Sequence, residues 1–126
     1  MTAPYKILIF LKRRPGMSVA DFRAYYETRH VPLVSRYLRG VSHYVRRYVT
    51  PLPLPETGEP PELECDVITE LWFTSKTIYD ALLEVAARGD FAAEIIEDEL
   101  RVFDRPRIRY MTLTECESTI SPPESR

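Results

Sequence analysis

From Tyr5 to Lys12 the chain reads YKILIFLK, a β-branched and aromatic run bounded by Pro4 and by the turn Arg14-Pro15-Gly16, which predicts a first strand. The spacing then becomes helical. Phe22, Tyr26, His30, Leu33 and Tyr37 recur at steps of three and four and share one helix face. Ser18, three residues before Asp21, makes a variant of the capping box at the start of this helix. Pro32 removes a backbone donor and predicts a bend or restart, and Gly40 predicts the end.

SHYVRRYVT at residues 42–50 and DVITELWF at 66–73 predict the second and third strands. Prolines 51, 53, 55, 60 and 61 mark the stretch between them, 51–64, as a solvated loop, either a flap over a pocket or a passive excursion. Thr74 or Ser75 caps a helix with the apolar stripe Ile78, Leu82, Val85 and Ala86, which Gly89 breaks. Asp90 is the expected cap of a further helix carrying Phe91, Ile95, Val102 and Phe103. After Pro106, RIRYMTLTE at 107–115 predicts the last strand, and SPPESR an unstructured end. The order β-α-β-β-α-α-β is that of a ferredoxin-like split βαβ domain, an α+β fold with a four-stranded antiparallel sheet and helices on one face. One domain is expected over 1–117, with a flexible tail at 118–126. Ile7, Ile9 and Leu11 on one face of the first strand oppose Leu8 and Phe10 on the other. Both sheet faces therefore need cover, and a second subunit is the simplest cover for the free one.

Composition changes this picture little. With 126 residues, 44% hydrophobic and 29% charged, the chain has the balance of an ordinary globular domain. A net charge of −2, with only the short basic runs Lys12-Arg13-Arg14 and Arg46-Arg47, speaks against a nucleic-acid partner. Cys65 and Cys116 lack the spacing of a zinc ribbon or redox motif and read as two free thiols in a reducing cytosol, with a disulfide as the alternative if their strands are neighbours. No stretch has the length of a membrane span or the pattern of a signal peptide, so a cytoplasmic protein without a membrane partner is expected.

Candidate chemistry concentrates in FRAYYETRHVPLV, residues 22–34, where His30 lies one turn after Tyr26 and one turn before Leu33 and Val34. Its ring should face the sheet, either as a satisfied core histidine or as a proton carrier. The second strand offers Tyr44 and Tyr48 on one face and His43 and Arg47 on the other; the third puts Asp66, Glu70 and Trp72 on a shared face. Glu70 beside apolar groups would suit a base near neutral pH, or else it pairs with an arginine across the strands. Two histidines without ligand spacing argue against a metal, four unclustered glycines against a nucleotide site, and no nucleophile elbow is present. What remains is a cofactor-free pocket of His, Tyr, Trp and a carboxylate, suited to a flat phenolic or polyketide-like ligand.

The opening KILIFLKRRPGMSVADFRAYY and the segment RHVPLV, with His30, Pro32 and Leu33, resemble the EthD-domain proteins of the dimeric α+β barrel superfamily over Tyr5 to Glu117. The resemblance implies a ferredoxin-like subunit in a barrel-forming homodimer and raises the weight of a functional His30. It implies proton-transfer chemistry without a cofactor, as in the dehydratases, decarboxylases, cyclases and isomerases of related barrels. The expectation is a lyase or isomerase acting on a cyclic aromatic or polyketide-like small molecule. His30 would move the proton, with Tyr44 or Tyr48 on a developing oxyanion and Glu70 or Asp66 as proton partner. Trp72, Phe10, Tyr26 and Leu33 would form the walls. The alternatives are a binding or accessory protein without chemistry of its own and a cofactor-free oxygenase.

Overall fold

A computed structural model describes residues 4–123; residues 1–3 and the last part of the expected tail, 124–126, lie outside that range. Strands β1 (Tyr5–Leu11), β2 (Val41–Tyr48), β3 (Val67–Phe73) and β4 (Arg109–Met111) form one sheet in the order β2-β3-β1-β4. Every neighbouring pair is antiparallel. This is the ferredoxin-like arrangement expected from the element order.

Helix α1 (Val19–Tyr25) starts at Ser18, whose side chain accepts a hydrogen bond from the Asp21 amide. The chain then widens into one π turn over Tyr26–His30 before α2 (Val31–Ser35). Pro32 explains the widening, because its ring would clash with the Thr28 carbonyl in a regular α-helix. Helix α2 stops near Arg36, short of the expected end; Gly40 instead makes the turn into β2 at φ +79°, with Ile78 packed against it.

Helix α3 (Lys76–Arg88) is capped by Ser75 and closed by Gly89 at φ +69°. The expected capping role of Asp90 is corrected here: its amide donates to the Val85 carbonyl, so it closes α3 rather than opening the next helix. Helix α4 (Ala93–Val102) starts from Ala92 instead. The last strand is shorter than 107–115, because Arg105–Arg107 forms a 3₁₀ turn around Pro106. The chain beyond Met111 follows β1 without ladder bonds, with Lys6 still paired to Glu115.

Strand alternation sends Ile7, Ile9 and Leu11 of β1 and Val67, Thr69, Leu71 and Phe73 of β3 toward the helices. Tyr44, Arg46 and Tyr48 of β2 and Tyr110 of β4 share that side by register. Phe22, Tyr26 and Phe103 meet edge to face at 5.3–6.2 Å and anchor the core under the π turn. Such pairs contribute about 0.5–1.5 kcal/mol each beyond their buried area. The opposite face carries Lys6, Leu8, Phe10, His43, Val45, Arg47, Ile68, Glu70 and Trp72, and no helix of the described chain covers it.

Candidate active site

A cavity of about 250 Å³ lies between the helices and the sheet. Its walls come from β1 (Ile9, Leu11), β3 (Thr69, Leu71), α2 and the turn after it (Val34, Leu38), α3 (Leu82, Val85) and the start of α4 (Phe91, Ile95). His30, Tyr44, Glu99, Phe103 and Tyr110 also line it, with the more exposed Tyr37 and Asp90 toward solvent. The volume exceeds the 150 Å³ or so that holds benzene and falls just short of the ~300 Å³ at which drug-sized pockets begin. One ring fits inside with room to spare.

His30 is 4% exposed, with its ring edge-on to Tyr26 at 5.5 Å and Phe103 at 5.0 Å. Its Nδ1 lies 2.8 Å from Asp98 Oδ2. Tyr25 donates to the other oxygen of Asp98 at 2.6 Å, and Arg101 stands 3.6 Å from it. Burial opposes the charge on Asp98, but the hydrogen bonds from Tyr25 and His30 and the nearby positive charges together hold its pKa below the ordinary value. An ionised carboxylate only accepts, so Nδ1 carries the ring proton and Nε2 is bare. Burial also lowers the His30 pKa from 6.5, with the Asp98 hydrogen bond and charge offsetting only part of that. The imidazole is therefore neutral near pH 7. Nε2 meets no hydrogen-bond partner among the described residues, where no enclosed side-chain polar atom is left unpartnered. It therefore keeps an open surface, and His30 borders the cavity. A neutral imidazole held by a carboxylate, with its second nitrogen unpartnered on a residue that lines an apolar cavity, is equipped to take a proton.

Tyr44 donates to Tyr26 at 3.1 Å, and Tyr26 is 2.7 Å from the Thr69 hydroxyl. Burial raises the pKa of all three nearby phenols, Tyr26 to about 12 and Tyr44 and Tyr110 further, so they stay protonated as hydrogen-bonding groups. Glu99 is 5% exposed and bonded to Arg105 at 3.0 Å. Burial raises its pKa, with Arg105 countering in part. The pKa values of two adjacent carboxylates on α4 are thus driven apart, that of Asp98 downward and that of Glu99 upward.

The other residues expected at the site fall in different places. Tyr26 packs beside His30, but Leu33 is half-buried outside the cavity, where Val34, four residues after His30, takes the wall position. Tyr48 donates to Glu27 at 2.6 Å, next to the Arg46–Glu27 pair. Phe10, Glu70 and Trp72 lie on the opposite side of the sheet, because strand parity separates them from Ile9, Thr69 and Leu71. There Glu70 accepts from Arg47 at 2.5 Å and from Trp72 Nε1 at 2.9 Å. Asp66 clamps the β1 exit, accepting from the Arg13 amide at 2.8 Å and the Arg13 guanidinium at 2.6 Å. Neither carboxylate touches His30; Asp98 does. The proline loop is held against Lys12, which donates to Glu62 and the Leu63 carbonyl, and none of its residues borders the cavity.

The partner that sequence reasoning missed carries a signal. Ile95, Asp98, Glu99 and Val102 fall at i, i+3, i+4 and i+7, so two carboxylates occupy the apolar stripe of α4. Buried acids on such a stripe need partners.

The EthD domain family model matches residues 14–106, most of the chain. The chain belongs to the EthD family. No curated protein matches this EthD-domain chain. Its fold is similar to the crystal structure of an EthD-like protein from Ralstonia eutropha, with 19% identity and a TM-score of 0.53, covering 94% of this chain and 98% of the other. It is also similar to the solution structure of a hypothetical Arabidopsis thaliana protein, with 14% identity and a TM-score of 0.52, covering 94% of each chain. At these identities the likeness is one of fold. Among the described residues no helix is long and apolar enough to cross a membrane, and no group of three or more His, Cys, Asp and Glu side chains could hold a metal ion.

Proposed function

We propose that this EthD-domain protein is a cofactor-independent lyase or isomerase that moves a proton on a small cyclic substrate. The observation that carries the reading is the 2.8 Å contact of His30 Nδ1 with Asp98, which leaves Nε2 unpartnered beside an apolar cavity. Nε2 takes a proton from a ring carbon next to a carbonyl. The electron pair left behind becomes an enolate, whose oxygen accepts a hydrogen bond from Tyr110 or Tyr44. The imidazolium, stabilised by Asp98, returns the proton to the same carbon or to another position. The free thiols Cys65 and Cys116 support a reducing, cytosolic setting.

The test is deuterium uptake from D₂O at the ring carbons of cyclohexanone and substituted cyclohexenones, followed by proton NMR. The account expects catalysed uptake that His30→Gln abolishes; uptake unchanged in that variant contradicts it. The rival reading, a binding or accessory module, draws on the predominantly apolar walls, which hold a ligand without any turnover. Ligand binding with no catalysed exchange would establish that rival. Oxygen consumption with an electron-rich phenol would mark the oxygenase alternative.

The uncovered sheet face supports a homodimer, since Leu8, Phe10, Ile68 and Trp72 would otherwise meet water. Sedimentation at micromolar concentration should show the dimer, and monomer alone would remove this part of the proposal.

A further inference from the structure

The polar groups around the cavity are uneven in kind. Among those without a partner of their own, the Tyr110 hydroxyl can donate, and the others are acceptors. Nε2 of neutral His30 is one. The second is the Glu99 oxygen left over from the Arg105 contact, which meets no donor among the described residues on a side chain only 7% exposed. Asp90 adds a third acceptor, the second carboxylate, where the cavity opens. No lysine or arginine lines the cavity, and Arg105, which neutralises Glu99, is absent from the lining. The negative end of that ion pair therefore faces inward, and Tyr110 is the neighbour whose hydroxyl feels the Glu99 charge.

From this arrangement we propose that the cavity selects small uncharged cyclic molecules bearing a hydroxyl donor, phenols and cyclic enols, and excludes the corresponding ring carboxylates. A hydroxyl placed inside finds an acceptor in His30 or Glu99, so its desolvation is compensated. A carboxylate would lose its hydration among apolar walls, find the Tyr110 hydroxyl but no cation, and face the Arg105-paired Glu99 carboxylate with a like charge. The apolar remainder of the ring is accommodated by Ile9, Leu71, Val85 and Ile95 in either case, so the discrimination rests on the polar group alone. The inference rests on the cavity being the binding site of the proton-transfer reading and names the substrate class for it.

The probes are 4-methylphenol and 4-methylbenzoate, matched in ring and methyl group, titrated into the wild-type protein at pH 7.5 and followed by calorimetry or ligand-observed NMR. The phenol should bind at least about tenfold more tightly than the benzoate. Glu99→Gln, first checked for folding by thermal melting, should narrow that ratio several-fold; if the variant does not fold, the wild-type ratio decides. Equal affinities, tighter binding of the benzoate, binding of neither probe, or an unchanged ratio in folded Glu99→Gln would overturn the inference. The two readings fail separately. His30-dependent deuterium exchange without phenol selectivity sinks only the selectivity, whereas selectivity without exchange sinks only the proton transfer.

Discussion

Both faces of the sheet hold a histidine, a carboxylate and large aromatics, yet their environments differ. On the helix side, His30 is buried between Tyr26 and Phe103 with one nitrogen fixed by Asp98, and Glu99 has a single charged partner. On the open side, exposed His43 lies against the Trp72 ring at 4.6 Å, Lys6 covers that ring at 4.3 Å, and Glu70 has two donors. Glu70 and Glu99 are both largely buried, but their pKa values move in opposite directions. Burial pushes each upward; at Glu70 the Arg47 and Trp72 hydrogen bonds and nearby positive charges outweigh it, whereas Arg105 alone does not at Glu99. Satisfying the partners of a carboxylate decides whether it is structural or available for chemistry, and burial by itself does not.

The comparison breaks most sharply at the two candidate carboxylate systems. His30→Gln should lower catalysed proton exchange by roughly 10²- to 10⁴-fold, while Glu70→Gln across the sheet should leave it essentially unchanged. Comparable losses in both variants, read from initial rates, would mean that the two faces are not functionally distinct.

Stability sharpens it next. Phe22, fully buried beneath the π turn, should cost about 3–5 kcal/mol when replaced by alanine. Phe10→Ala on the open face should cost clearly less in a monomer, and urea unfolding of the two variants measures the gap. Asp98→Asn removes a charged acceptor shared by Tyr25 and His30 and should cost about 1.5–3 kcal/mol in the same assay.

The fold was legible because its signals are local: strand alternation, Ser18 and Ser75 as caps, Gly89 as a stop, and Pro32 as a break. The face on which each strand residue falls was legible as parity. Which face His30 shares was not, and so Glu70 and Trp72 were grouped with a histidine on the other side of the sheet. Asp98 lies 68 positions from His30, and only the docking of α4 under the π turn brings them together. A carboxylate on the apolar stripe marks a need for a partner without naming the partner.

A smaller effect separates the faces by pH. His30 has a folded pKa below its unfolded value near 6.5, so the unfolded chain binds the extra proton as pH falls. Its stabilising contribution is complete above that value and is lost as pH drops toward the folded pKa. Asp98, also lowered, loses its contribution at still lower pH, as pH falls from about 3.8 through its folded value. Glu99 has the opposite sign: its contribution is complete below about 4.5 and is lost as pH rises through its raised folded pKa. Wild-type stability should therefore fall between pH 7 and 5 more steeply than that of His30→Gln, by thermal melting across the range. Parallel profiles would remove His30 as the source. The smallest effect is Glu70→Gln, about 1 kcal/mol or less, since its Arg47 partner is half exposed.

The most direct test of the central claim is the nitrogen-15 NMR spectrum of the His30 ring titrated from pH 8 to pH 4, because it needs no substrate. The expected spectrum is that of a neutral ring at pH 7 with the proton on Nδ1 and Nε2 bare, titrating below 6.5. A ring with the proton on Nε2, or one charged at pH 7, would contradict it.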